Sequence, residues 1–212
     1  MTTEKRIEIL KKRHKLNLQW ADLFRSKRMN YPFEKFVRLM PYMAQDSVAS
    51  LTFVPCPAKF CGKDVPQDLA LVTFGILTRL QQAPNKDDFC ETFCNLVSVL
   101  LDVPAEKVRK CKAVEVIGIV NMIQSEMERI GKLFKSLQSE RTSDELAAGI
   151  DRLEFGTFGI LDWYAKRMGI IDHEDVFATP WARIYKCMEI DHENGEFEKR
   201  YRKVLENRSR RK

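Results

Sequence analysis

Three absences bound this chain before any motif does. No apolar run approaches the ~20 residues that cross a bilayer, so no membrane span is expected. The opening "MTTEKRIEILKKRHK" is charged throughout and has no apolar signal core, so no secretory export is expected. A Walker-type glycine loop, GxGxxG, GxSxG and HExxH are all missing, which leaves nucleotide binding, α/β-hydrolase chemistry and zinc proteolysis without a motif. Histidine is scarce at three, so Cys–His catalysis would need one of these beside a thiol, which sequence does not establish. The six cysteines are scattered and read as reduced thiols. Cys56 with Cys61, and Cys90 with Cys94, lack the two-residue spacing of a zinc knuckle, so buried free thiols are expected in place of a metal site.

What is present is helix-forming sequence around one interruption. The 212 residues suffice for a buried core. Ile7, Leu10, His14, Leu18, Trp20, Leu23 and Phe24 follow helical spacing. "NYPF" interrupts them, and a second helix follows with Phe36, Leu39, Met40 and Met43, shortened or kinked by Pro41. "SVASLTFVPCPAKFCGKDVPQ", rich in β-branched residues and proline, predicts an extended connection or hairpin near residues 50–65. Beyond it, Leu69, Val72, Ile76 and Leu80 mark one helix. Phe89, Phe93, Leu96, Val97 and Leu100 mark another, capped by Asp87 or Asp88. Asp102 is positioned to cap a short helix behind Pro104. "AVEVIGIVNMIQSEMERIGKLFKSL" is the longest candidate. A helix opening at Thr142 or Ser143 is expected to break at Gly156 or Gly159. Two final helices are divided at "ENG". The fold expected is mainly α, a multi-helix bundle: a charged helical arm over 1–49, the connection over 50–65, and a body over 66–212 with two candidate lobes, 66–140 and 141–212. Thr73-Phe74-Gly75-Ile76-Leu77 recurs as Thr157-Phe158-Gly159-Ile160-Leu161, an echo read as local convergence in which both glycines permit close helix approach.

Charge is uneven. The net +6 divides into +4 over residues 1–15, +7 over residues 199–212, and −5 over the 183 residues between. The basicity therefore belongs to the ends. "NRSRRK", with Arg208, Arg210, Arg211 and Lys212, has nothing apolar to bury and is expected to be a mobile basic tail.

Two features invite a functional reading. Ile-Asp-His-Glu occurs twice, at Ile171–Glu174 and Ile190–Glu193. Asp172 is placed to cap a helix, with Asp175 in its first turn, and Asp191 to end one. His173 and His192 are expected beside loops and exposed. No third converging ligand is evident, so neither a metal site nor a catalytic residue is assigned, and no cofactor is expected. Trp163, Tyr164, Trp181 and Tyr185, with Arg167 and Arg183 nearby, form a dense aromatic cluster. This is either local core or a partner-binding hot spot, since Trp, Tyr and Arg are enriched at such spots.

"VTFGILTRLQQAPNKDDFCETFCNLVSVLLDVPAEKVRK" resembles bacteriophage tail assembly chaperones and related phage morphogenesis proteins. In that group a Thr-x-Gly helix start leads to a helix with spaced leucines, a short acidic linker, a second helix and a proline-containing turn. Thr73, Gly75, Leu77, Leu80, Asp87, Asp88 and Pro104 occupy those kinds of position. "FGTFGILDWYAKRMGI" carries the pattern more faintly, and the N-terminal arm and "LTFVPCPAKFCG" lie outside it. The resemblance spans about a fifth of the chain and is one of apolar helices. It implies a non-enzymatic protein that binds phage structural or tail proteins in the host cytoplasm, as a chaperone or a virion component, with homo-oligomerisation as a further expectation. The alternatives are a nucleic-acid-associated helical protein using its basic termini, and a metal-dependent enzyme using the Asp-His-Glu repeats.

Overall fold

In the computed structural model, residues 27–42, 50–83, 88–137, 143–153 and 155–210 are described. The first expected helix, Met43, Asp87, Thr142, Arg211 and Lys212 lie outside them. The protein is mainly α-helical, with nine α-helices and one two-stranded hairpin among the described residues. In chain order these are α1 (Phe33–Leu39), β1 (Lys59–Phe60), β2 (Lys63–Asp64), α2 (Phe74–Gln82), α3 (Phe89–Leu101), α4 (Ala105–Lys110), α5 (Ala113–Ser136), α6 (Ser143–Ala147), α7 (Gly156–Met168), α8 (His173–Phe177) and α9 (Trp181–Ser209).

The chain forms two compact units that are discontinuous in sequence, whereas the expected segments were consecutive. One takes in the described residues up to Leu69 together with Arg79–Met127; the other holds Ala70–Thr78 and Glu128–Lys212.

In the first unit, residues 27–42 are not a solvated arm. Met29, Phe33 and Phe36 are among its most buried side chains, and Phe33 stacks on Phe93 at 5.9 Å. Their apolar area outweighs the charges between them, which stay on the outer face. Pro41 ends α1 as expected, and the chain continues in a 3-10 turn over Met40–Tyr42. The extended and hairpin segment is present: a 3-10 turn over Ser50–Phe53, then β1 and β2 pairing Lys59 with Asp64 and Phe60 with Lys63. The two turn residues, Cys61 and Gly62, both have positive φ, as a two-residue hairpin with strand-matched twist requires. Helix α5 holds this segment through a notch and a clamp. A Cβ on Gly118 would lie 2.1 Å from the Pro55 carbonyl oxygen, so only glycine admits that approach. Three residues on, Asn121 Nδ2 donates to the carbonyls of Leu51 (2.7 Å) and Val54 (3.3 Å).

Asp88 caps α3, its side chain accepting from the Glu91 amide at 3.0 Å. Leu96, Val97 and Leu100 are buried as expected, while Phe89 stays partly exposed and leans on Phe93 at 4.0 Å. Asp102 does not cap α4. It closes α3 in the left-handed conformation, which Asp tolerates better than most residues, and Lys63 donates to the Leu101 and Asp102 carbonyls at 2.8 and 2.7 Å.

Leu69 and Leu80 are buried as expected, but in the second unit the apolar face of α2 falls on Phe74 and Leu77, with Val72 and Ile76 half-buried. Its first turn meets the entry to α9: Phe74 N donates to Thr179 O (2.8 Å) and Trp181 N to Val72 O (3.2 Å). Gly75 sits against Phe177 of α8, where an added Cβ would be 3.2 Å from the Phe177 side chain and carbonyl. Gly159 does something else: a Cβ there would strike Phe155, on the approach to its own helix. The two copies of the echo are therefore used differently, one glycine meeting a neighbouring helix and the other its own flank. The break expected at Gly156 or Gly159 falls earlier, beyond Ala147, and Gly156 opens α7 with φ +51°.

Helix α9 corrects the C-terminal expectation. "ENG" does not make a turn. Asp191, His192, Asn194 and Gly195 lie inside a single 29-residue helix. One interior glycine costs about 1 kcal/mol. Ion pairs along the helix, Lys199–Glu196 at 2.7 Å and Arg202–Glu198 at 3.5 Å among them, act against that cost.

Candidate functional site: an aromatic groove between α7 and α9

The second unit holds an open cavity of about 490 Å³. From α7 it takes Gly156, Gly159, Ile160 and Trp163, which recur at helical spacing and so share a face; from α9 it takes Met188, Asp191 and His192. Leu137 and Phe155 complete the rim. The glycines leave the floor without side chains, and the larger apolar groups stand as walls. Phe155 is 66% exposed, and Phe158, one turn on, is 62% exposed. The polar side is anchored by Arg167, which donates from Nη1 to Asp191 Oδ1 and lies over the Trp163 ring at 5.7 Å. The hydrogen bond to Asp191 raises the Arg167 guanidinium further above its usual range, outweighing partial desolvation. The groove thus sets an apolar wall beside a cation–carboxylate edge.

The structure divides the aromatic cluster. Tyr164 is 1% exposed and Trp181 3%, so these two are core and not contact surface. Trp181, Tyr185 and Phe134 form a ring triad with centroids 5.5–6.2 Å apart, and Tyr185 is half-buried in it. Their burial follows from position: Trp181 and Tyr185 are one turn apart on the inward face of α9. Trp163, also half-buried, is brought into the groove, and Arg167 stands beside it. Arg183 is exposed and is not among the residues that form the groove. Of the six candidates, Trp163 alone lines the groove, and Arg167 stands at its edge through Asp191 and the Trp163 ring. Sequence reasoning missed Phe155, Ile160, Met188 and His192. The 156/159/160/163 spacing was readable, but its partner face on α9 was hidden by the turn expected at "ENG".

The two Asp-His-Glu strings have separate local uses. Asp172 caps α8 as predicted, accepting from the Glu174 amide at 2.9 Å, while His173 stands edge-on to Phe158 at 5.3 Å. Asp191 does not end a helix. It pairs with Arg167 from within α9, and His192 lines the groove instead of sitting beside a loop. No group of three or more His, Cys, Asp or Glu side chains is placed to hold a metal ion among the described residues.

The thiols are free, and their neighbours are not those the spacing suggested. Cys61 lies 3.2 Å from Cys111, sulfur to sulfur, while Cys56 faces the Pro57 and Pro66 carbonyls. Only Cys94 is fully buried; the other five are half-buried. Arg208 continues the last turn of α9 and Arg210 caps it, so this part of the basic tail is helical. A basic side chain at a helix C-terminus favours the helix dipole. Among the described residues no helix is long and apolar enough to cross a membrane. Comparison with protein-family models, with curated proteins and with solved structures gives no match.

Proposed function

We propose that this is a non-enzymatic assembly protein that works by protein–protein contact, and that its setting is bacteriophage morphogenesis in the host cytoplasm, as an assembly chaperone or a structural component of the particle. The observation that carries the contact reading is the α7–α9 groove. It offers Trp163, Ile160 and Met188 to a partner, with the exposed Phe155 at its mouth and the Arg167–Asp191 pair at one edge. Apolar surface that a chain leaves open in a concave, polar-edged site is surface kept for a partner. The phage setting rests on the helical resemblance over Val72–Lys110.

The test uses the full chain and the products of flanking phage structural genes. Trp163→Ala should weaken capture of the cognate partner on the order of tenfold or more, as loss of a hot-spot aromatic does. Circular dichroism should be unchanged, because Trp163 is not core. Partner binding that ignores Trp163→Ala and Ile160→Asp would reject the groove as the contact.

A second reading has one observation in its favour. Lys199, Arg200, Arg202, Lys203, Arg208 and Arg210 are all exposed on the C-terminal half of α9, a basic surface of the kind that holds nucleic-acid phosphate.

A further inference from the structure

Helix α9 has two faces with different fates. At 100° per residue, Trp181, Ile184 and Met188 fall on one side, and the first two are buried in the second unit. Ile190, Phe197, Tyr201 and Val204 fall on the opposite side at spacings of seven, four and three, with Leu205 beside them. All five are roughly half exposed, between 45% and 59%. From residue 197 to the helix end every side chain is exposed. A stripe at this spacing on a helix that has left its own core is the seam of a helix pair.

The charges along the same stretch are segregated. Residues 189–198 hold five acids, Glu189, Asp191, Glu193, Glu196 and Glu198, and no Lys or Arg. Residues 199–210 hold six bases against Glu206 alone. Arg167 and Lys186 each answer one of the acids, and two further pairs, Lys199–Glu196 and Arg202–Glu198, straddle the boundary. Exposed pairs of this kind are weak and exchange readily. What persists is an acidic half followed by a basic half on one straight rod of about 30 Å, at 1.5 Å per residue.

We infer that α9 pairs antiparallel with α9 of a second copy of this chain, about a two-fold axis beside Phe197. In that arrangement residues 189–195 of each helix lie on the basic residues 199–205 of the other, and Glu196 and Glu198 flank the axis, paired within their own helix to Lys199 and Arg202 respectively; a parallel pair would set like on like along the whole length. The register follows from the seam. Phe197 meets its own counterpart, Ile190 meets Val204 of the second copy, and Asn194 meets Tyr201, placing an amide within reach of a phenol. Along one edge Glu193 then faces Arg200 of the second copy, twice by symmetry. An isologous contact of this kind closes as a dimer. It is independent of what fills the groove.

Sedimentation of the full chain over a dilution series tests the pairing, with circular dichroism on every variant to confirm the helix content. The wild type should show a monomer–dimer equilibrium. Phe197→Asp with Tyr201→Asp should abolish the dimer while the fold persists, since both positions are solvent-facing. Glu193→Lys and Arg200→Glu should each weaken association on the order of tenfold, and combining them in one chain should restore it, because the exchanged charges would again face each other across the pair. Were the seam pair to unfold the protein, the charge exchange alone decides. A monomer at every concentration overturns the inference, as does a dimer indifferent to all four substitutions. Single substitutions that weaken without mutual rescue overturn the antiparallel register. A monomer whose DNA affinity falls on Arg200→Glu assigns the basic half to nucleic acid and also overturns it.

Discussion

Short acidic side chains at chain bends do much of the local work in this protein. Asp88 and Asp172 each hold a helix start by accepting an amide two or three residues on, and Asp102 closes α3 in a left-handed conformation. Asp172→Ala should cost about 1 kcal/mol in urea unfolding, the usual value of an N-cap. His173→Ala should remove only an edge contact with Phe158, and His192→Ala only part of the groove rim; both should unfold close to wild type. Stoichiometric zinc or manganese that disappears on changing either histidine would overturn this assignment of the Asp-His-Glu strings. The thiols differ among themselves for a physical reason. Burial, reinforced by the neighbouring Cys90, pushes Cys94 from 9.0 to about 12. The folded protein therefore keeps that proton through the range where an unfolded thiol gives it up. This contribution to stability is whole below about pH 9 and is lost as pH rises toward 12. Burial also pushes Cys111 up to about 12, so it is full burial that sets Cys94 apart: in timed iodoacetamide labelling near pH 8, Cys94 should be the last thiol modified, and Cys94→Ala should flatten the alkaline fall in stability.

At the scale of elements, α5 is the piece whose sequence details matter most to the fold around it. The Pro55 carbonyl enters the helix surface where Gly118 has no side chain, and Asn121 then ties down Leu51 and Val54. Gly118→Ala should destabilise by roughly 3 kcal/mol or more, since backbone atoms and not a flexible side chain must move. Asn121→Leu should cost about 1–3 kcal/mol by taking the side-chain donor from the Val54 carbonyl and leaving the Leu51 carbonyl with only the Val54 amide. Should Gly118→Ala melt at the wild-type temperature, the close approach at Pro55 is not made. The length of α5 was legible because its apolar spacing runs unbroken, and the hairpin was legible because prolines and β-branched residues cluster there. The continuity of α9 was not. "ENG" has turn residues, and the ion pairs that keep the helix running depend on which charges meet across turns, not on composition. The groove was half legible for the same reason: Trp163 stood out, but its partners Met188 and His192 become neighbours only if α9 passes straight through Gly195. Tyr164 and Trp181 stand among the contact candidates in the sequence because an aromatic residue carries the same sequence signal in a core as on an interface. Burial alone separates them.

For the whole molecule, the question is whether the basic C-terminal end serves the fold, a protein partner or nucleic acid. Residues 199–212 carry +7 against −5 for the stretch between the two basic ends, so they are the most strongly basic segment of the sequence. Arg208 and Arg210 are exposed at the end of α9 and contribute no burial. Deleting residues 208–212 takes away the C-cap and the basic last turn of α9 but no packed side chain, so the melting temperature should fall by no more than about 4 °C, the effect of about 1 kcal/mol in a chain of this size. The same deletion should lower any DNA affinity toward background, because several phosphate contacts disappear together and each contributes to the salt-dependent term. Capture of a protein partner should be largely retained, because the contact proposed for it uses the apolar walls at Trp163 and Ile160, far along the sequence from the deleted residues. Salt dependence alone cannot discriminate, since an acidic protein and DNA both release a basic segment as ionic strength rises. Selectivity can. Full-length and truncated proteins are each offered DNA and the flanking gene products at low and at physiological salt. Tight DNA binding at physiological salt that survives the truncation, with no protein partner captured by either form, would defeat the assembly reading and leave the nucleic-acid reading in its place.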